Sequence, residues 1–207
     1  MKRSLWLFLV FIALTMAILY FVGHLFEIDS PTLNDHAVDP DIHLENTKRY
    51  ANDQSFNRSL YHLDKAIKAI RILEDDADDY SREILEKTID ELLNLKVELE
   101  TKTLSTEDMN AAIYNALNAL AMLELRISES YAETNKLKKA KIAMKYSLLH
   151  LEHSTYYSKG TLREKEVEVY NAIDSMLTSE SLNSNDVSLK LSELITEMDS
   201  LLKENQY

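Results

Sequence analysis

Two histidines three residues apart, in His150-Leu-Glu-His153, are the residues of this chain best suited to chemistry. Positions i and i+3 are neighbours on a helix surface, so both imidazoles could reach one ligand. With the glutamate between them they make a candidate metal set of His150, Glu152 and His153, because neutral imidazole and carboxylate suit divalent ions. Asp64 is a further possible partner. The plainer expectation is a core histidine at 153 and an edge histidine at 150, hydrogen-bonded locally. A ferritin-like dinuclear centre would need a Glu-x-x-His motif on each of two helices, and the chain has none. Tyr146, Tyr156, Tyr157 and Tyr170 are the candidate residues for binding a small ligand, although at helical spacing they equally suit a core or its rim. The stretch His36-Ala-Val-Asp-Pro-Asp-Ile-His43 reads as a solvated acidic linker more readily than as a metal loop.

Other chemistries are poorly equipped. The chain has no cysteine and only two glycines, so it has no thiol nucleophile, no Gly-rich phosphate cradle and no nucleophile elbow. Its carboxylates fall mainly on outward faces, where charge runs are solvated. The expectation is a protein that is not an enzyme and needs no cofactor.

The elements that would position these residues are helices. Phe56, Leu60, Leu63, Ile67 and Ile70 recur at spacings of four and three, which is the period of one helix face. A second helix from about Ser81 aligns Leu85, Ile89, Leu92 and Leu99. A third, Thr106 to about Glu133, aligns Met109, Ile113, Ala116, Leu120, Leu123 and Ile127. The fourth runs from Lys136 to Tyr157, with Gly160 suited to a left-handed position at its end. Thr161-Leu-Arg-Glu164 has the form of a capping box for the fifth, and the sixth starts near Ser184. The fourth carries apolar residues on two sides, which predicts a central helix shared by both halves.

Ahead of these helices, Leu5 to Phe26 contains no Asp, Glu, Lys or Arg, and Lys2 and Arg3 precede it. As a helix it would span about 33 Å, enough to cross a bilayer once. A cleaved signal fits less well, since its only small-residue candidate, Ala13-Leu-Thr-Met-Ala17, lies inside the apolar run. The positive-inside rule places the N-terminus in the cytoplasm and the rest in the periplasm or outside the cell. Residues 27–52, with Pro31 and Pro40, read as a polar acidic stalk, and 53–207 as the helical domain. Beyond the run, 21 Lys and Arg face 35 Asp and Glu, which disfavours nucleic acid and anionic lipid as partners.

Ser59-Leu-Tyr-His-Leu-Asp64 resembles Ser147-Leu-Leu-His-Leu-Glu152, which suggests a tandem three-helix repeat with halves at about 53–133 and 134–207. Across the junction of the third and fourth helices, Tyr131, Ala140, Met144 and Ser147 have the spacing of a tetratricopeptide-type repeat. That hairpin, Ala121 to Ser154, resembles one such repeat, with Glu124, Ser128 and Glu152 where the family usually has tryptophan, glycine and proline. The resemblance implies stacked helical hairpins and a protein-binding surface. The sequence therefore predicts an all-α protein: one N-terminal transmembrane helix followed by a six-helix antiparallel bundle. Its expected role is a membrane-anchored, non-enzymatic scaffold for a protein partner, with homo-oligomers possible. The alternatives are a periplasmic bundle binding a metal or small ligand, and a stress-linked holdase.

Overall fold

A computed structural model describes residues 36–74, 77–179 and 181–204. Among them are seven α-helices and no strand: α1 Asp39–Asn52, α2 Phe56–Glu74, α3 Asp79–Thr101, α4 Thr106–Glu133, α5 Leu137–Ser154, α6 Gly160–Thr178 and α7 Ser184–Glu204. No helix among the described residues is long and apolar enough to cross a membrane, and the Leu5–Phe26 run lies outside them.

The seventh helix is α1, formed by residues expected to be stalk. Pro40 sits in its first turn, where a missing N–H costs nothing, and Asp39 and Asp41 lie at the positive end of the helix dipole. Its buried face, Asp41, Leu44 and Thr47, contains only one large apolar residue, which is why the helical period is faint in the sequence.

Chain reversals set the hairpins. Gln54, Lys102 and Asn135 each take a left-handed φ of 57 to 58°. In the α1–α2 turn Gln54 N–H bonds Ala51 O at 2.9 Å and Ser55 N–H bonds Tyr50 O at 2.8 Å. The α4–α5 turn repeats this with Asn135 to Ala132 at 3.0 Å and Lys136 to Tyr131 at 2.8 Å. These are Schellman ends, closing a helix by satisfying its last carbonyls. At the N-termini, Asp78 accepts from Ser81 N–H, Ser105 from Asp108 N–H, and Asn183 from Asp186 N–H. The Thr161–Glu164 capping box does not form, because α6 begins one residue earlier, at Gly160, and its N-cap Lys159 makes no side-chain cap bond. Gly160 has a φ of +58°, yet it opens α6 and lies beyond the end of α5 at Ser154.

The helices enclose two cores. The first gathers Leu44 of α1, Leu63 and Ile70 of α2, Leu85 and Leu92 of α3, and Met109, Ile113 and Leu120 of α4. The second gathers Met122 and Leu125 of α4, Met144 and Leu151 of α5, Val169 and Ile173 of α6, and Leu191 and Met198 of α7. The helix common to both is therefore α4, not the expected helix at 136–157. Its N-terminal half closes the first group of four helices and its C-terminal half opens the second. On α5 the stripe Ile142, Tyr146 and Leu149 is only half-buried, and Tyr156 is 74% exposed.

Buried positions correspond at a spacing of 81 residues: Leu44 with Leu125, Thr47 with Ser128, Ser59 with Ala140, Leu63 with Met144, and Leu92 with Ile173. At the close approach within each hairpin a hydroxyl bonds a carbonyl, Ser59 to Thr47 O at 2.8 Å and Ser128 to Ala140 O at 2.9 Å. In this register Ser59 pairs with Ala140 and His62 with Ala143, not with Ser147 and His150.

Candidate functional site

α1 lays its first turn against the C-terminal half of α5, and this brings Asp41 between the paired histidines. Asp41 Oδ1 lies 2.7 Å from His150 Nδ1, and Oδ2 lies 2.7 Å from His153 Nδ1. Asp41 is 2% and His150 0% exposed, while the His153 side chain keeps 36% of its surface. Burial pushes the Asp41 carboxyl up, but the two imidazoles outweigh it and hold the group below the usual range. The hydrogen bond to Asp41 raises the pKa of His153 against the opposing effect of burial.

A second carboxyl lies behind this pair. Glu124 of α4 is 1% exposed, and burial raises its pKa to about 7, with His150 opposing the shift. His150 Nε2 and Glu124 Oε1 are both buried without a hydrogen-bond partner. One turn further along α5, Ser154 donates to Glu166 Oε1 at 2.5 Å, and Asn118 Nδ2 donates to the same oxygen at 3.1 Å. Glu166 stands where Leu85 stands 81 residues earlier, so an apolar position of the first core becomes a buried carboxyl in the second.

Of the predicted metal set, the structure brings His150 and His153 together and leaves Glu152 exposed to solvent. The carboxylate comes from Asp41, 109 residues away from His150. Asp64 is engaged elsewhere, by Lys96 at 2.7 Å. Among the described residues no three His, Cys, Asp or Glu side chains converge as metal ligands. Of the four tyrosines, Tyr157 borders the clasp that Asp41 forms with His150 and His153: burial and the nearby Glu45 and Asp41 push its hydroxyl up to about 12, and Lys48 Nζ sits 4.2 Å from its ring centre. Tyr156 projects into solvent, Tyr146 is half-buried on α5, and Tyr170 packs against the second core from α6. Tyr157 packs against the first core and Tyr170 against the second. His43 faces His62 with their Nδ1 atoms 3.1 Å apart, and His36 lies 3.6 Å from Asp39.

Sequence reasoning missed Asp41 and Glu124 as site residues. A signal for Glu124 exists: it is the single charge in the run Ala116 to Leu125 of a helix buried on both sides. Nothing comparable marks Asp41, because its partners are set by tertiary packing alone.

The molecule also has a surface groove. Ile84, Thr88 and Leu202 form the floor of a cleft of about 310 Å³ between α3 and α7, walled by Glu83, Lys87, Glu91 and Lys203. Tyr80 bridges its end by a hydrogen bond to Asp199. Through Glu91 and Asn115 it joins a second depression of about 250 Å³ that runs to Glu98 and Asp108 past Ala111 and Ala112. From Tyr80 to Glu98 the α3 wall measures about 27 Å at the helical rise. Comparisons with protein-family models, with curated proteins and with solved structures find no match in any of the three.

Proposed function

We propose that the chain is a membrane-anchored, extracytoplasmic helical module that binds a protein partner and performs no catalysis itself. The observation that carries this reading is the groove along α3: its length suits several turns of a helix, its floor is largely apolar, and Ala111 and Ala112 leave room for side chains. On its walls Glu83, Glu91, Glu98 and Asp108 outnumber Lys87 and Lys203, which favours a partner helix with a basic face. The anchor rests on the charge-free run Leu5–Phe26 and the basic pair before it. The 81-residue correspondence is read as an internal duplication, in which stacked helical hairpins supply the scaffold, as the tetratricopeptide resemblance implies.

Photo-crosslinking in cells tests the reading. A photoreactive residue at Asn94 or Ala111, both exposed beside the groove, should capture one partner carrying a basic amphipathic helix, and Glu98→Lys should weaken that capture. Equal capture from Thr178, on α6 and away from the groove, would sink it. A ligand-binding reading draws on one observation, the unpartnered His150 Nε2 and Glu124 Oε1 inside the bundle. Stoichiometric metal or a visible absorption band in the purified full chain would favour it.

A further inference from the structure

The charge of the chain is spread unevenly over its helices. α3 carries seven Asp and Glu against Arg82, Lys87 and Lys96, whereas α2 carries Arg58, Lys65, Lys68 and Arg71 against Asp64 and Glu74. Of those two carboxylates, Asp64 is neutralised by Lys96 of α3 at 2.7 Å. The net charge of −12 therefore conceals one basic helix, α2, while α1 beside it carries Asp39, Asp41 and Glu45 against Lys48 and Arg49.

Apolar and aromatic side chains accompany these cations. Arg58, Tyr61, Lys65, Lys68 and Ile72 follow at spacings of three and four along one exposed face of α2, with Tyr61 57% and Ile72 39% exposed. On α1, Ile42 is 50% exposed and Arg49 is exposed, with the exposed Glu45 between them, so the cationic stripe belongs to α2. Arg49 and Arg58 lie 4.8 and 5.6 Å from the ring centre of Tyr50, and Lys65 lies 5.6 Å from that of Tyr61. Aromatic rings, which leave the cationic edges available, hold these groups in place.

We propose that the exposed face of α2 rests on a membrane surface of anionic phospholipid. A helix face combining Arg and Lys with Tyr and Ile is suited to the headgroup boundary, where cations meet phosphate and the apolar tips enter the acyl edge. The stripe from Arg58 to Ile72 runs about 21 Å, a convex line that fits a plane. A peptide would be better served by the groove, which lies on α3, α4 and α7. α5 is also basic, but its Lys141 is committed to the carbonyls of Leu177 and Ser179, and it presents no such stripe. An anionic bilayer attracts α2 and repels α3 and α7, so the contact also orients the domain.

The full chain is reconstituted into nanodiscs of phosphatidylcholine alone and of phosphatidylcholine with phosphatidylglycerol, and amine labelling of Lys65 and Lys68 is measured. Labelling should be about fivefold slower in the anionic discs, the effect expected of a single basic residue near such a surface, and should recover in high salt. Carried together with Asn57→Cys, exposed beside Arg58 and read by a water-soluble maleimide, R58E/K65E/K68E should lose the composition dependence, whereas K65R/K68R should keep it; a melting curve on each variant confirms folding. Equal labelling in both discs overturns the proposal, as does protection reproduced by inorganic phosphate in neutral discs, which would indicate a small oxyanion site. Protection by polyglutamate but not by anionic lipid also overturns it, in favour of an acidic protein. The proposal does not rest on the N-terminal anchor, whose failure shows separately as a chain that elutes apart from both discs.

Discussion

Glu124 is a carboxyl whose protonation is tied to folding. Its folded pKa of about 7 stands above the 4.5 of an exposed glutamate, so between these values the folded chain holds a proton that the unfolded chain releases. Stability therefore falls as pH rises through this window, by on the order of 3 kcal/mol, and levels off above it. Urea denaturation from pH 4.5 to 8 should show this decline, and Glu124→Gln should flatten it; an unchanged slope in the variant would place the titration elsewhere. Asp41 has the opposite sign. Its lowered pKa makes the clasp contribute above the unfolded value of 3.8 and weaken as pH falls through the folded one. The sequence made the His150–His153 pair legible because their spacing alone places them on one surface. It could not supply Asp41, since a contact across 109 residues leaves no mark in local spacing.

At the level of elements, three of the helix reversals are accomplished without glycine. Gln54, Lys102 and Asn135 occupy left-handed positions that L-residues adopt at a cost. Gln54→Gly and Asn135→Gly should each stabilise the fold by about 0.5 to 1 kcal/mol, read as a higher urea midpoint with an unchanged slope. Destabilisation by either would mean that its side chain makes a contact worth more than the strain. The periodic helices were readable to within a few residues, and Thr106–Glu133 was read to the residue, because large apolar side chains marked their buried faces. α1 was missed for the converse reason: Asp41 and Thr47 stand where such side chains usually do, and Pro40 suggested a stalk although it suits a first turn.

Across the whole molecule, α4 joins two cores that otherwise share little. A helix that closes one group of four and opens the next cannot unfold from either side alone, so the domain should melt as one unit. Leu92→Ala in the first core and Ile173→Ala in the second should each lower a single calorimetric transition by about 10 °C. Two separated transitions in either variant would show that the cores are independent. The sequence carried the all-α class through its helical periods and lack of chain breakers. It did not carry the identity of the shared helix. The sequence showed two apolar sides on the helix at 136–157, but one of them, Ile142, Tyr146 and Leu149, is only half-buried.

The clasp at Asp41 also bears on the order of folding. α1 meets α2 through a short turn and can do so early, but its bond to α5 closes a loop of 109 residues that must wait until α5 is in place. The first turn of α1 is thus fastened later than the rest of its own hairpin during synthesis. When the native protein fluctuates, the same turn is placed to open first, exposing His150 while both cores remain intact.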